Sequence, residues 1–370
     1  MQKLAKLEFK IASPLLSQFT THTVIKTIFS GQVPARVYCD NFQSPEIVFA
    51  QFRHRAFVAG DPSKVEADAM KEFIESEVFE NCRQWDVPLF RLTAEPLSWI
   101  NHLVRILESR QPITTIYQIY QHQISDQLPE VEIPNGYRFQ EVTSSLIEKD
   151  FEGKDDLLEE MCSERESVDS FLENSFGIVA FQNQTLAGWC LSEYNYKNLC
   201  EVGIATMAPF QRQGLAKSMT CAFIRQAAGE GIDTILWHCY QSNEPSWRTA
   251  LSAGFSLAKE EPVLMLYLDR ALNAAVHGNL NFEREQYQQA LVWYQNALSE
   301  AEPQSWMAWN GACAAAHCSQ IDLAFDLLHQ AIDLGFADLD YLVQSQHLTP
   351  LKDDERWGEL ITHLNQIIHT

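Results

Sequence analysis

Between an apolar run at 199–207 and an amphipathic run at 214–229 stands Gln211-Arg212-Gln213-Gly214-Leu215-Ala216, and no other stretch constrains the chain so tightly. A strand that turns through a glycine straight into a helix exposes consecutive backbone N–H groups. The helix N-terminus adds a partial positive charge. Together they cradle a pyrophosphate without needing a basic side chain. Ala216 is small, so phosphates can lie close to the backbone.

The surroundings of this turn alternate in the manner of an α/β domain. Runs at 175–181, 186–194 and 199–207 read as strands in meander, separated by turns at 183–185 and 195–198. The helix 214–229, a strand at 234–240, a helix at 245–253 stopped by Gly254, and a closing strand at 263–268 follow. Meander followed by βαβα predicts an α/β (α+β) fold with a mixed sheet. Upstream, strand-like runs at 35–39, 47–52 and 56–59 mix with helical runs at 65–82 and 97–110. Pro129, Pro134 and Asn135-Gly136 mark a linker. Downstream, small residues recur every 34 positions: Gly278 with Ala312, Ala290 with Ala324, Ala297 with Ala331. Three domains are therefore expected, at 1–130, 135–270 and 272–370, and a chain of 370 residues suits two or three.

Charge and cysteine usage narrow the class of partner. The net charge of −22 disfavours nucleic acid and anionic membrane surfaces and favours cationic partners. Nine cysteines without a CxxC pair suggest neither a disulfide framework nor a zinc site, so no metal is expected and a reducing compartment fits. The first 23 residues gather no apolar core, and no apolar run of about 18 residues occurs. No signal peptide and a cytoplasmic location are expected.

The string Ile204-Ala205-Thr206-Met207-Ala208-Pro209-Phe210-Gln211-Arg212-Gln213-Gly214-Leu215-Ala216 resembles motif A of the GNAT N-acetyltransferases. Asn243-Glu-Pro-Ser246-Trp-Arg-Thr-Ala250-Leu-Ser-Ala-Gly254-Phe255 resembles their motif B. Within that family, 188–194 and 200–206 are similar to the zwittermicin A resistance type, whose N-terminal half matches 37–41 and 57–61. The resemblance covers about 30–270 and implies acetyl-CoA as cosubstrate. The pantetheine arm would pair with the main chain of Ile204, Ala205 and Thr206 as an added strand. The turn Gln211, Arg212, Gln213, Gly214, Leu215, Ala216 and Lys217 would hold the pyrophosphate. Asn243 and Ser246 would lie near the pantetheine, although both positions also suit helix capping. The first region has no Q-x-x-G-x-A string. It is expected to be a degenerate GNAT-like half that binds no cofactor and walls the acceptor cleft.

Acetyl transfer by direct attack requires a neutral amine, a polarised carbonyl and a proton for the leaving thiolate. Glu201 and Glu193, on neighbouring strands, are the candidate bases. Glu201 lines up with Ala205, not Thr206, unless its strand carries a bulge. Motif B has no tyrosine after its asparagine segment. Tyr240 is the substitute for the general acid. His238 alternates with Trp237 and Cys239 and reads as a buried, hydrogen-bonded histidine. The stretch 146–175 has eleven acidic residues and three basic ones; it serves either to draw in an ammonium or as a solvated helix face.

Three readings follow. The first is an N-acetyltransferase for a small cationic amine. The second is an enzyme that acetylates a basic peptide recruited by the tail. The tail at 272–302 and 305–336, capped by a segment with Trp357, resembles two tetratricopeptide repeats. The third is an adaptor that binds acetyl-CoA without catalysis.

Overall fold

Twelve strands form one mixed sheet. In chain order they are β1 (Gln2–Lys3), β2 (Arg36–Cys39), β3 (Ile47–Phe52), β4 (Arg55–Gly60), β5 (Leu89–Glu95), β6 (Ile113–Gln123), β7 (Tyr137–Glu141), β8 (Gly177–Gln182), β9 (Thr185–Tyr196), β10 (Leu199–Thr206), β11 (Thr234–Tyr240) and β12 (Ser256–Tyr267). The computed structural model describes residues 1–369. Strand order is β1-β2-β3-β4-β5-β12-β6-β11-β10-β9-β8-β7. The expected α/β class with a mixed sheet is the one observed: β10 runs parallel to β11, while β9 and β6 lie antiparallel to their neighbours.

The order reveals an exchange that the expected division at 130–135 does not contain. Strand β12, from the second half, inserts beside β5 of the first. Strand β6, from the first half, lies beside β11 of the second. Residues Met1–Ile106 and Thr114–Leu264 accordingly make one compact unit. Leu107–Ile113 and the chain from Met265 onward make another. The segment 124–136 carries neither helix nor strand. It connects two parts of one sheet.

Local chemistry explains the hairpins. The β8–β9 loop is Asn183-Gln184 and the β9–β10 loop is Lys197-Asn198. Asn183 and Lys197 hold φ of 55° at the first position, as a tight hairpin turn requires. Strand β12 begins at Ser256, earlier than the 263 expected, because Lys259-Glu260-Glu261 does not look like a strand. Glu261 is nevertheless fully buried.

Helix Leu215–Gly229 packs on the second half of the sheet through Leu215, Met219, Phe223, Ile224 and Ala227. These positions recur at three- and four-residue spacing, so one face is apolar. Phe223 stacks on Phe176 with ring centroids 5.1 Å apart. Burying each large side chain of this stripe contributes roughly 1.5–3 kcal/mol.

The second unit is helical: Arg270–Glu283, Tyr287–Ser299, Ser305–His317 and Ile321–Asp333 succeed one another with short loops. Ala290, Ala297, Ala312, Ala324 and Ala331 are buried where helices meet. Among the described residues no helix is long and apolar enough to cross a membrane.

The strand exchange makes a prediction about fragments. Residues 135–264 expressed alone lack β6, leaving β11 and β12 without the strand between them. This fragment should show no cooperative unfolding by circular dichroism, and co-expression with 1–130 should restore it. A sharp melt from the fragment alone would refute the exchange.

Candidate functional site

The ladder between β10 and β11 starts at Leu199↔Thr234 and ends at Val202↔Trp237. Both strands continue past that point, to Thr206 and Tyr240. They therefore part from Gly203 onward, and β10 keeps only β9 as a partner there. On one side of the opening lies a cleft of about 770 Å³. Its walls include Ile204, Ala205 and Thr206 on β10, Gln211, Arg212, Gly214, Leu215, Ala216 and Lys217 on the turn and helix, and Asn243 and Ser246 beyond β11.

The turn has the backbone its sequence demands. Arg212 and Gly214 take φ of 59° and 79°. Gly214 is the N-cap of Leu215–Gly229, and a Cβ on it would meet nothing within 4 Å. Conformation, not space, therefore requires glycine at this position. The first amides of the helix have no intrahelical acceptor. Those of Leu215, Ala216 and Lys217 belong to residues that line the cleft. Gln211 Nε2 donates to the Thr206 carbonyl at 3.0 Å and ties the turn to the strand. Gln213 is turned elsewhere: its Oε1 accepts from the Tyr137 hydroxyl at 2.8 Å.

Asn243 and Ser246 combine structural roles with their position in the cleft. Asn243 Oδ1 caps helix Glu244–Ser252 by accepting from Ser246 N at 3.2 Å. Ser246 Oγ accepts from Trp237 Nε1 at 3.0 Å. The sequence reading missed Phe210, Trp237, Arg248, Thr249 and Ser252, which also line the cleft. Asn243, Ser246 and Thr249 recur at three-residue spacing, and that periodicity was the available signal for one helix face.

The opposite face of the sheet carries a buried charged cluster. Arg55, at the start of β4, donates from Nη2 to Glu193 Oε2 at 2.7 Å, from Nη1 to Glu201 Oε1, and from Nε to Glu164 Oε1 at 3.3 Å. The Tyr194 hydroxyl donates to Glu164 Oε2. His238 Nδ1 lies 3.1 Å from Glu201 Oε1. Side-chain exposure is 6% for Arg55 and 1% for Glu201, but 19% for Glu193.

The bulge lies on β9 and not on the strand of Glu201, so Glu201 keeps the parity of Ala205. Glu201 pairs with Tyr194 and Val202 with Ser192, so Glu193 is the extra residue. A Cβ on Gly203 would run into the Glu193 carboxylate. The missing side chain at the first residue of the opening thus gives that carboxylate its place. Tyr240 lies on the same face as His238, against Tyr117 at 5.1 Å between centroids and 6.0 Å from the Arg91 guanidinium.

Arg55 touches all three carboxylates, and Arg165 adds a second, more distant positive charge beside Glu164 and Glu193. Burial alone would raise Glu201, but Arg55 first and His238 second hold it well below the usual carboxylate range. Glu164 is likewise lowered, chiefly by Arg55 against the cost of burial. Burial pushes Glu193 up to about 8, and the charges of Glu164 and Glu201 add to that effect against Arg55. Near neutrality the spare proton of the cluster therefore sits on Glu193, the most exposed of the three carboxyls. No sequence signal links Arg55 to this cluster, because it lies 138 or more residues away from Glu193 and Glu201.

Residues 13–264 match the family described as GNAT acetyltransferase. An uncharacterized N-acetyltransferase, YdfB of Bacillus subtilis (strain 168), is 22% identical over 270 residues, 70% of this chain and 96% of that protein. Among solved structures, a GCN5-related N-acetyltransferase-like protein from Streptococcus suis 89/1591 superposes with a TM-score of 0.53 at 18% identity, covering 70% of this chain and 98% of that one. A GCN5-related N-acetyltransferase from Sphaerobacter thermophilus gives 0.50 at 11% identity, covering 72% and 94%. These two likenesses concern the fold.

Removing Arg55 leaves three buried carboxylates without their main counter-charge. Arg55→Met should cost about 3–5 kcal/mol of stability near pH 8. In the wild type, Glu201 and Glu164 have lowered folded-state pKa values, so their contribution is present above the unfolded range and fades as pH falls. The variant lacks that contribution, so its deficit should hold from pH 8 down to about 5 and shrink as pH falls below about 4.5. Urea unfolding across that range checks it, and a deficit independent of pH would contradict the assignment.

Proposed function

The chain belongs to the GNAT acetyltransferase family, and on that premise we propose that it moves acetyl from acetyl-CoA to a small cationic amine by direct attack. The observation that carries this reading is the opening that starts at Gly203. It has a cleft floored by the helix N-terminus at Gly214 on one sheet face and a carboxyl raised to about 8 on the other. Acetyl-CoA supplies the activated thioester when bound. The cleft residues around Gly214 hold its phosphates through backbone N–H groups. The main chain of Ile204, Ala205 and Thr206 borders the cleft on its β11 side and would meet the cofactor's amides there, the Thr206 carbonyl already accepting from Gln211 Nε2.

Glu193 takes the proton from the attacking amine. It borders the opening and is partly exposed, and in its ionised form it is a stronger base than an ordinary carboxylate. Glu201, enclosed between Arg55 and His238, keeps its charge and does not exchange protons with the acceptor. Tyr240 shares that sheet face and is the group assigned to protonate the leaving thiolate. The excess negative charge of the cluster favours an ammonium-bearing acceptor over an anionic one. The likeness of 188–194 and 200–206 to zwittermicin A resistance acetyltransferases supports a polyamine-like or amino-sugar-like amine.

The helical unit is read as a tetratricopeptide-like surface for a partner. The spacing of its buried alanines supports this, and thirteen acidic against three basic residues in 273–370 favour a basic one.

Incubation with acetyl-CoA and a panel of amines, following free CoA, tests the central reading. Turnover should appear with polyamine-like or amino-sugar-like acceptors. Its kcat/KM should rise with pH along one limb centred near 8, because Glu193 must lose its proton to act. Glu193→Gln should lower kcat by roughly 10²–10⁴-fold and remove that limb. Full activity in Glu193→Gln would refute the role of this carboxyl. The absence of CoA release with every amine would refute the acceptor class.

A further inference from the structure

Beside the cluster, Arg165 has one donor left to place. The residue is buried, with 2% of its surface exposed. Nε and Nη2 both donate to Ser175 Oγ, at 3.1 and 2.9 Å. Nη1 is buried and has no hydrogen-bond partner among the described residues. A guanidinium offers donors and no acceptor, and a buried donor without an acceptor bears the full cost of its lost hydration. Arg165 lines a cavity of about 10 Å³, together with Glu160, Glu164, Ser192 and Glu193. That is room for one water.

The lining decides what the cavity takes. An ammonium is as small as water, but its hydrogens would meet the hydrogen of Nη1. The occupant has to accept from Arg165 and donate to a carboxyl, and water does both. Both oxygens of Glu164 are engaged, Oε1 by Arg55 Nε and Oε2 by the Tyr194 hydroxyl. Ser192 Oγ accepts from Phe176 N at 2.9 Å and from Asn195 Nδ2 at 3.0 Å. Glu193 gives Oε2 to Arg55 and keeps a second oxygen. Glu160, half-buried on helix Lys154–Ser163, is the other carboxyl of the lining. Burial first and the charge of Glu164 second make it hold a proton more readily than an ordinary carboxylate.

We propose that the cavity holds one water, fixed by Arg165 Nη1, through which Glu193 passes its proton to Glu160 and on to solvent. This rests on the reading of Glu193 as the base. The reaction itself creates the need. Of the three protons on an acceptor's ammonium, the new amide keeps one, and the CoA thiol takes one as the C–N bond forms and the thioester C–S bond breaks. The third is left on Glu193. A bound acceptor covers the partly exposed edge of Glu193, so the free way out is sideways. The Glu193 O–H bond breaks as its proton moves to the water, the water gives one of its own hydrogens to Glu160, and the water is regenerated. Arg165 touches neither substrate and acts as a positioning residue for the water.

The test is kcat for Glu160→Gln and Arg165→Met in dilute and in concentrated imidazole at constant ionic strength, with the amine that the wild type turns over best. In dilute buffer both variants should lose about tenfold or more of kcat. Concentrated imidazole, a small carrier of protons, should restore most of it, while the wild type should barely respond. A loss that imidazole does not restore marks a structural role and overturns the proposal, as does an unchanged kcat. Full activity in Glu193→Gln refutes the underlying assignment of the base. An inactive Glu193→Gln beside losses that ignore imidazole refutes this inference alone. If the variants do not fold, or no amine is turned over, a crystal structure of the wild-type protein that resolves ordered waters decides. An oxygen within roughly 2.7–3.2 Å of Arg165 Nη1 that also reaches Glu193 and Glu160 supports the proposal. A dry cavity, or one filled by a side chain, overturns it.

Discussion

Arg55 is the residue on which the second half of the sheet depends. It enters from the first half and binds Glu164, Glu193 and Glu201 from three separate elements of the second. Taking these charges out of water is costly, and an apolar replacement of the whole group is often neutral or stabilising. Such a cluster is therefore poorly explained as a stability device. It is well explained as a way to give three similar carboxyls different proton affinities within one small space. Glu201 and Glu164 are driven down and Glu193 is driven up. Divergence of this kind among neighbouring groups is what separates a proton acceptor from a fixed charge.

The geometry of the main chain serves the same division. The extra residue on β9 turns Glu193 out of the regular alternation, and Gly203 opposite leaves room for its carboxylate. Without the bulge, Glu193 would belong to the opposite sheet face from Glu201. One irregularity brings the two carboxylates under the same guanidinium and sets one of them at the mouth of the opening.

The cleft around Gly214 was largely legible in the sequence, because it depends on local chemistry. A glycine with φ of 79°, an asparagine that caps its own helix and an apolar strand before the turn all act within a few residues. Glu193 and Glu201 were legible as candidates through their place on neighbouring strands, but their unequal surroundings were not. Those surroundings come from Arg55, and from His238, whose Nε2 lies against the Thr21 carbonyl more than 200 positions away in the chain. The exchange of β6 and β12 was hidden for a related reason. Lys259-Glu260-Glu261 reads as solvent-facing, yet Glu261 is buried because His22 and Lys259 neutralise it. Pattern reading assigns charges to water, and it fails where distant segments supply counter-charges.

The two halves also show why only one opens. In the first half β4 and β5 stay paired from Arg55↔Arg91 to Ala59↔Glu95, through nearly all of β4. In the second half the equivalent parallel pair, β10 and β11, separates after Val202↔Trp237. A closed ladder has spent its hydrogen bonds on itself and offers none to a ligand chain, whereas a parted one has unmatched polar groups along its edge. In the first half the ladder stays closed along β4. The start of β4 carries Arg55 into the cluster, where one guanidinium reaches three carboxylates in unequal surroundings.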